Sequence, residues 1–159
     1  MNKLVNLIPV FFQNILISIY NTYQYKMRHG GSYFKYREYY KECSSLDEKA
    51  ILLERTKRLE EFLSKATSNS SWYSKFSNYK LLSDFPVLNK ADLLNHLDEI
   101  TTIEEANAVV SLTGGTTGAS MKVLYSKENT QERHAMLDHF RAEYGYSLGK
   151  RCAWFSGKN

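Results

Sequence analysis

Two cysteines, Cys43 and Cys152, are all that the 159-residue sequence holds, and they are not spaced as a metal-binding pair. A paired-cysteine zinc module has no support, and reduced thiols of a cytoplasmic protein are the expectation. Histidine is equally sparse: of the four, only His134 and His139 are close in sequence, and five residues along a helix puts them on different faces. No metal site is expected from that spacing. No Gly-x-Ser-x-Gly elbow occurs, so hydrolase chemistry has no anchor. No Gly-x-x-x-x-Gly-Lys-Ser/Thr occurs, which excludes a Walker-type phosphate loop. Long apolar runs are missing too. The stretch from Leu4 to Tyr20 is broken by Asn6, Pro9, Gln13 and Asn14, short of the uninterrupted run of about 18 that marks a membrane span. No small-x-small cleavage site follows Lys3, which argues against a secretory signal. Neither internal repeats nor low-complexity segments are present.

What is there is globular in composition, with 43% hydrophobic and 24% charged residues, enough for one domain with a sizeable core. The net charge of +4 is mild; it suits anionic substrates and equally a protein with no charged partner. On a helical wheel Ile8, Phe11, Phe12, Ile15 and Ile19 share one face, and Asn6, Gln13, Asn14, Asn21 and Gln24 the other, so the N-terminal segment is an amphipathic helix. Its expected place is against the protein's own body. The alternative is peripheral membrane contact through residues 4–20, for which Lys26, Arg28, Lys35 and Arg37 would suit an anionic surface. A cytoplasmic, or membrane-associated, protein follows.

From Tyr20 to Tyr40 tyrosines alternate with basic residues. Such a mixture can bind single strands, but no RNA-binding motif accompanies it, and tyrosine is an ordinary half-buried residue; no nucleic-acid partner is expected. Gly30-Gly31 should end the first helix. Ser45-Leu46-Asp47-Glu48 reads as a capping box opening a helix with Leu52, Leu53, Leu59, Phe62 and Leu63 inward. That helix should end in the polar loop Thr67–Ser71, with Trp72, Tyr73 and Phe76 as an aromatic patch beneath. Pro86 forces an extended Phe85, and Asn89 should cap a short helix starting near Lys90. Asn129-Thr130-Gln131-Glu132 reads as another capping box, followed by an apolar face of Met136, Leu137, Phe140 and Tyr144. Gly149 closes a turn, and Cys152–Phe155 reads as a final strand.

The densest chemical signal is Ser111-Leu112-Thr113-Gly114-Gly115-Thr116-Thr117-Gly118-Ala119-Ser120-Met121-Lys122. Ala108–Val110 before it and Val123–Tyr125 after it read as strands. Gly-Gly between strands is also a plain hairpin signal. A tight turn needs only two residues, however, and has no use for Thr113, Thr116 and Thr117 together. Glycines let successive N–H groups converge on an anion, threonine hydroxyls add donors, and Lys122 adds charge.

Thr113–Gly118 resembles the phosphate loop of adenylate-forming enzymes, the acyl-CoA synthetase superfamily, which reads Thr/Ser-Ser/Gly-Gly-Thr/Ser-Thr-Gly. The upstream Asp84-Phe85-Pro86-Val87-Leu88-Asn89-Lys90-Ala91-Asp92-Leu93 is similar to the D-x-P-x-x-x-K-x-x-L segment of phenylacetate–CoA ligase-like proteins. Pro9–Ser18 and Lys122 resemble the CapK-like capsular-polysaccharide branch. Ser120 departs from the family, standing where proline is usual and leaving the loop's exit less rigid. Complete members are several-fold longer, with adenine- and ribose-contacting motifs and a catalytic lysine placed beyond the loop. The resemblance therefore implies an N-terminal fragment, inactive by itself.

The fold class expected is α/β: a helical N-terminal region over 1–100, then a strand–phosphate loop–strand–helix–strand over 101–159 that begins a mixed sheet of an incomplete adenylation domain. The resemblance implies ATP-dependent activation of a carboxylate to an acyl-adenylate, with ATP and Mg²⁺ as cofactors and coenzyme A as a possible thiol acceptor. ATP phosphates would be held by Thr113, Gly114, Gly115, Thr116, Thr117 and Gly118, with Lys122 a further contributor. The residues themselves also allow a truncated, non-catalytic interaction or membrane-surface module.

Overall fold

The computed structural model describes residues 8–113, 121–151 and 153. Six helices are described: α1 (Val10–His29), α2 (Tyr33–Ser44), α3 (Glu48–Asn69), α4 (Lys90–Asn95), α5 (Leu97–Ile100) and α6 (Lys127–Glu143). Two strands, β1 (Val109–Leu112) and β2 (Lys122–Tyr125), pair antiparallel. The protein is thus mostly helical with a small two-stranded sheet. The expected strand at Cys152–Phe155 lies, Ala153 aside, outside the described residues.

The chain forms two compact units. One comprises Met1–Ser44 with Glu128–Asn159, the other Ser45–Lys127. Among the described residues only Tyr33, Leu63 and Ala135 are buried core side chains of hydrophobic type.

In the first unit, α1 ends where the glycines predict. Gly30 N–H bonds back to the Lys26 carbonyl at 3.0 Å, and Gly31 takes φ +52°, a conformation that costs glycine nothing. A Cβ at Gly31 would lie 2.8 Å from Gln131 Oε1, so α6 also needs the bare backbone there. The expectation that the apolar face of α1 packs inward is overturned. No residue of α1 is buried, and Phe11, Phe12, Ile15 and Ile19 are all exposed.

On α6 the inward stripe is Gln131, Ala135 and Asp138, an i, i+4, i+7 spacing. The apolar face of Met136, Leu137, Phe140 and Tyr144 points outward. The polar stripe goes inward because its partners are there. Gln131 Oε1 accepts from the Ser32 N–H at 2.9 Å, and its amide nitrogen donates to the Met27 carbonyl at 3.3 Å. Backbone groups freed at the α1–α2 break are thereby satisfied. The helix also begins before the expected box at Asn129. Lys127 opens it, directly after Ser126, a residue type favoured at N-caps.

In the second unit, α3 starts at Glu48 with Asp47, not Ser45, as its cap. The Asp47 carboxylate accepts from the Ala50 N–H at 2.8 Å, a charge-assisted bond at the positive helix end. Only Leu63 and Thr67 of α3 are buried; Leu52, Leu53, Leu59 and Phe62 are exposed, contrary to expectation. Beyond α3, Glu99 ties the turn to α5. Its carbonyl accepts from Ser70 Oγ (2.7 Å), Trp72 N–H (3.1 Å) and Ser71 Oγ (3.2 Å). Its carboxylate meets His96 Nδ1 at 2.8 Å and Lys75 Nζ at 3.3 Å, and these two bonds, the His96 one foremost, hold its pKa below the usual carboxylate value.

Candidate phosphate-loop site

β1 and β2 bring together the two ends of the glycine-rich loop. The ladder runs Val109 to Tyr125, Val110 to Leu124, Ser111 to Val123 and Leu112 to Lys122. One step further out, the Thr113 N–H donates to the Met121 carbonyl at 2.9 Å, and Thr113 Oγ1 accepts from the Met121 N–H at 3.0 Å. Thr113 is therefore a clasp across the loop's mouth. Gly114, Gly115, Thr116, Thr117 and Gly118 lie outside the described residues.

Lys122 sits at the first position of β2, and its ammonium pairs with the Glu105 carboxylate. Both side chains are well exposed, at 39% and 57%, so the pair contributes only about 0.2–1 kcal/mol. A polyanion at the loop could compete with Glu105 for the ammonium at little cost. Beside the pair opens a cavity of about 400 Å³ whose lining includes Asn69, Asp98, Thr102, Glu104, Glu105 and Lys122. Its volume suits a small molecule, but three carboxylates against one ammonium do not suit a triphosphate. An adjoining cavity of about 250 Å³ is more apolar, with Leu93, Ile100, Ile103 and Val123 in its wall.

The upstream segment is ordered by local bonds. Asp84 accepts from the N–H groups of Lys80 (2.8 Å) and Leu81 (2.9 Å), and the first of these bonds contributes most to lowering its pKa. Phe85 is extended before Pro86, at φ −87° and ψ 139°, and gathers the aromatic patch: Tyr79, Phe76 and Tyr73 have ring centroids 5.1, 5.7 and 6.2 Å away. Trp72 instead packs on His96 at 4.2 Å. Asn89 caps α4 as expected, accepting from the Asp92 N–H at 3.0 Å while Asp92 accepts from the Asn89 N–H at 3.2 Å.

Sequence reasoning missed a second polar cluster, in the other unit. Asp138, buried, accepts from Tyr33 Oη at 3.0 Å and lies 3.3 Å from His29 Nε2 and 3.4 Å from Arg141 Nη1. His29 faces His134 with centroids 5.7 Å apart; the pairing of interest is thus not His134 with His139. Burial foremost, then the hydrogen bond and charge of Asp138, pushes the Tyr33 hydroxyl well above its ordinary pKa. Burial foremost lowers that of His134, aided by Arg28 and His29 and opposed by its bond to the Thr130 carbonyl. Tyr33 and Asp138 are 105 residues apart, a separation that local periodicity does not reach. Among the described residues no group of three or more His, Cys, Asp or Glu side chains could hold a metal ion.

No family model matches this chain. No solved structure matches it either. It is similar to Protein CapK of Staphylococcus aureus, at 27% identity over an alignment of 168 residues covering 99% of this chain and 36% of CapK. The chain therefore spans little more than a third of the length of the curated relative it matches.

Proposed function

We propose that this chain is the N-terminal part of an ATP-dependent ligase of the adenylate-forming superfamily, in its CapK-like capsular-polysaccharide branch. The observation that carries the reading is the antiparallel hairpin whose mouth, clasped at Thr113 and Met121, brackets the Thr/Gly-rich sequence and places Lys122 at its exit. The similarity to CapK along nearly the whole chain supports the branch. So few buried apolar side chains suit a segment that folds within a larger enzyme.

In the proposed reaction a carboxylate oxygen attacks the α-phosphorus of ATP. The bond from that phosphorus to the oxygen bridging to the β-phosphate breaks, and pyrophosphate leaves. The acyl group then passes to a thiol such as coenzyme A, releasing AMP. Backbone N–H groups at Gly114, Gly115 and Gly118, with the hydroxyls of Thr116 and Thr117, are donors of the kind that stabilise the charge growing on pyrophosphate. Lys122 is freed from Glu105 to join them. Mg²⁺, when bound with the nucleotide, would neutralise phosphate charge.

The test is carboxylate-dependent ATP–pyrophosphate exchange by the protein that carries this chain. Thr117→Val, which removes one donor, is expected to lower exchange by about 100-fold or more, while the isolated 159-residue chain is expected to give none. Exchange untouched by Thr116→Val and Thr117→Val together would overturn the assignment.

A further inference from the structure

The charge of this protein is not spread along it. Of the 21 lysines and arginines, five lie in the first 37 residues, where no Asp or Glu occurs; the other 16 meet 17 carboxylates. The whole positive excess thus belongs to the first 37 residues, with Lys26 and Arg28 on α1 and Lys35 and Arg37 at the start of α2. The same helix carries the apolar stripe Phe11, Phe12, Ile15, Ile19 and Tyr23, every member exposed, Phe11 at 69% and Ile19 at 62%. Lys26, also exposed, continues the stripe on the helical wheel, one turn beyond Tyr23. Arg28 and Lys35 are exposed nearby.

Other helices expose apolar residues, but not with this electrostatics. α3 interleaves Glu48, Glu54, Glu60 and Glu61 with Lys49, Arg55, Lys57, Arg58 and Lys65, and α6 sets Glu128, Glu132, Asp138 and Glu143 against Lys127, Arg133 and Arg141. On those helices an anionic surface meets acids among the bases; on α1 it meets bases alone. No described helix is long and apolar enough to cross a membrane, so α1 would lie in the interface plane, its stripe among the acyl boundary and its cations at the headgroups.

We infer that α1 docks this protein on an anionic lipid surface. The exposed apolar stripe supplies the hydrophobic burial, and the acid-free basic flank selects the charge of the lipid.

The experiment is co-sedimentation of the protein that carries this chain with vesicles of phosphatidylcholine alone, or of equal parts phosphatidylcholine and phosphatidylglycerol. Binding is expected only to the anionic vesicles, and to be lost between about 0.1 M and about 1 M salt, as the screening length falls from about 10 Å to about 3 Å. Replacing Lys26 and Arg28 by Gln should weaken it about fivefold per charge. Phe12→Asn should weaken it about tenfold or more. Because Phe12 is exposed, that variant should keep its far-UV circular dichroism spectrum. Phe140→Asn, on α6, should bind unchanged. Equal binding to neutral vesicles, or full anionic binding by Phe12→Asn, would overturn the inference. So would a Phe12→Asn effect seen only as loss of self-association in sedimentation velocity, which would give the stripe to a second copy.

Discussion

The buried contact between Tyr33 and Asp138 should be the costliest polar interaction to break in the first unit. Tyr33 is 2% and Asp138 5% exposed, so neither can turn to water once its partner is removed. Tyr33→Phe deletes one donor and leaves Asp138 with His29 and Arg141; a hydrogen bond to a charged group contributes about 1.5–3 kcal/mol. Asp138→Ala strips the partner from Tyr33, His29 and Arg141 at once, and breaking a buried ionic cluster costs about 3–5 kcal/mol. The double variant should cost less than the sum, with a coupling of about 1.5–3 kcal/mol. Urea unfolding followed by far-UV circular dichroism would read this. At a slope near 2 kcal/mol per molar, Tyr33→Phe should shift the midpoint by about 1 M with the slope unchanged. The pH dependence gives a second reading. The folded pKa of Tyr33 lies above its unfolded value of 10.0, so its contribution is complete below that value and is lost as pH rises above it. The alkaline loss should be absent in Tyr33→Phe. A coupling below about 0.5 kcal/mol, the scatter of independent sites, would refute the account of this cluster.

Two further outcomes are expected. Ser70→Ala removes a 2% exposed hydroxyl that donates to the Glu99 carbonyl and accepts from the Tyr73 N–H; it should cost about 1–3 kcal/mol, measured by the same unfolding. His134 has its folded pKa lowered from 6.5, so its contribution is present above that value and is lost as pH falls through the folded pKa. His134→Gln should flatten the acid limb of a stability–pH profile between neutrality and pH about 5.

What the sequence made legible was local. The break at Gly30-Gly31, the extended Phe85 before Pro86, the Asn89–Asp92 box and the strands flanking the loop each depend on residues within a few positions of one another. Where two local offers competed, choice was not legible: Asp47 and Ser45 could both cap α3, and the charged acceptor holds the position. Inward faces were read from apolar periodicity, which says that a helix has two sides but not which one is covered. On α6 the covered side is polar because Met27, Ser32, Tyr33 and His29, about a hundred residues away, supply its partners. At the candidate phosphate loop the sequence supplied the residue types and the flanking strands. Thr113 as a clasp and Glu105 as the partner of Lys122 became visible only in three dimensions.

The central claim is that a carboxylate oxygen is joined to the α-phosphorus of ATP. The most direct measurement is oxygen transfer: the protein carrying this chain is given ATP, a thiol acceptor and a panel of ¹⁸O-labelled carboxylates, and the released AMP is weighed by mass spectrometry. The account requires one labelled oxygen in AMP for the carboxylate that is the substrate. Label in inorganic phosphate with ADP as the product, or turnover that leaves AMP unlabelled, would contradict it.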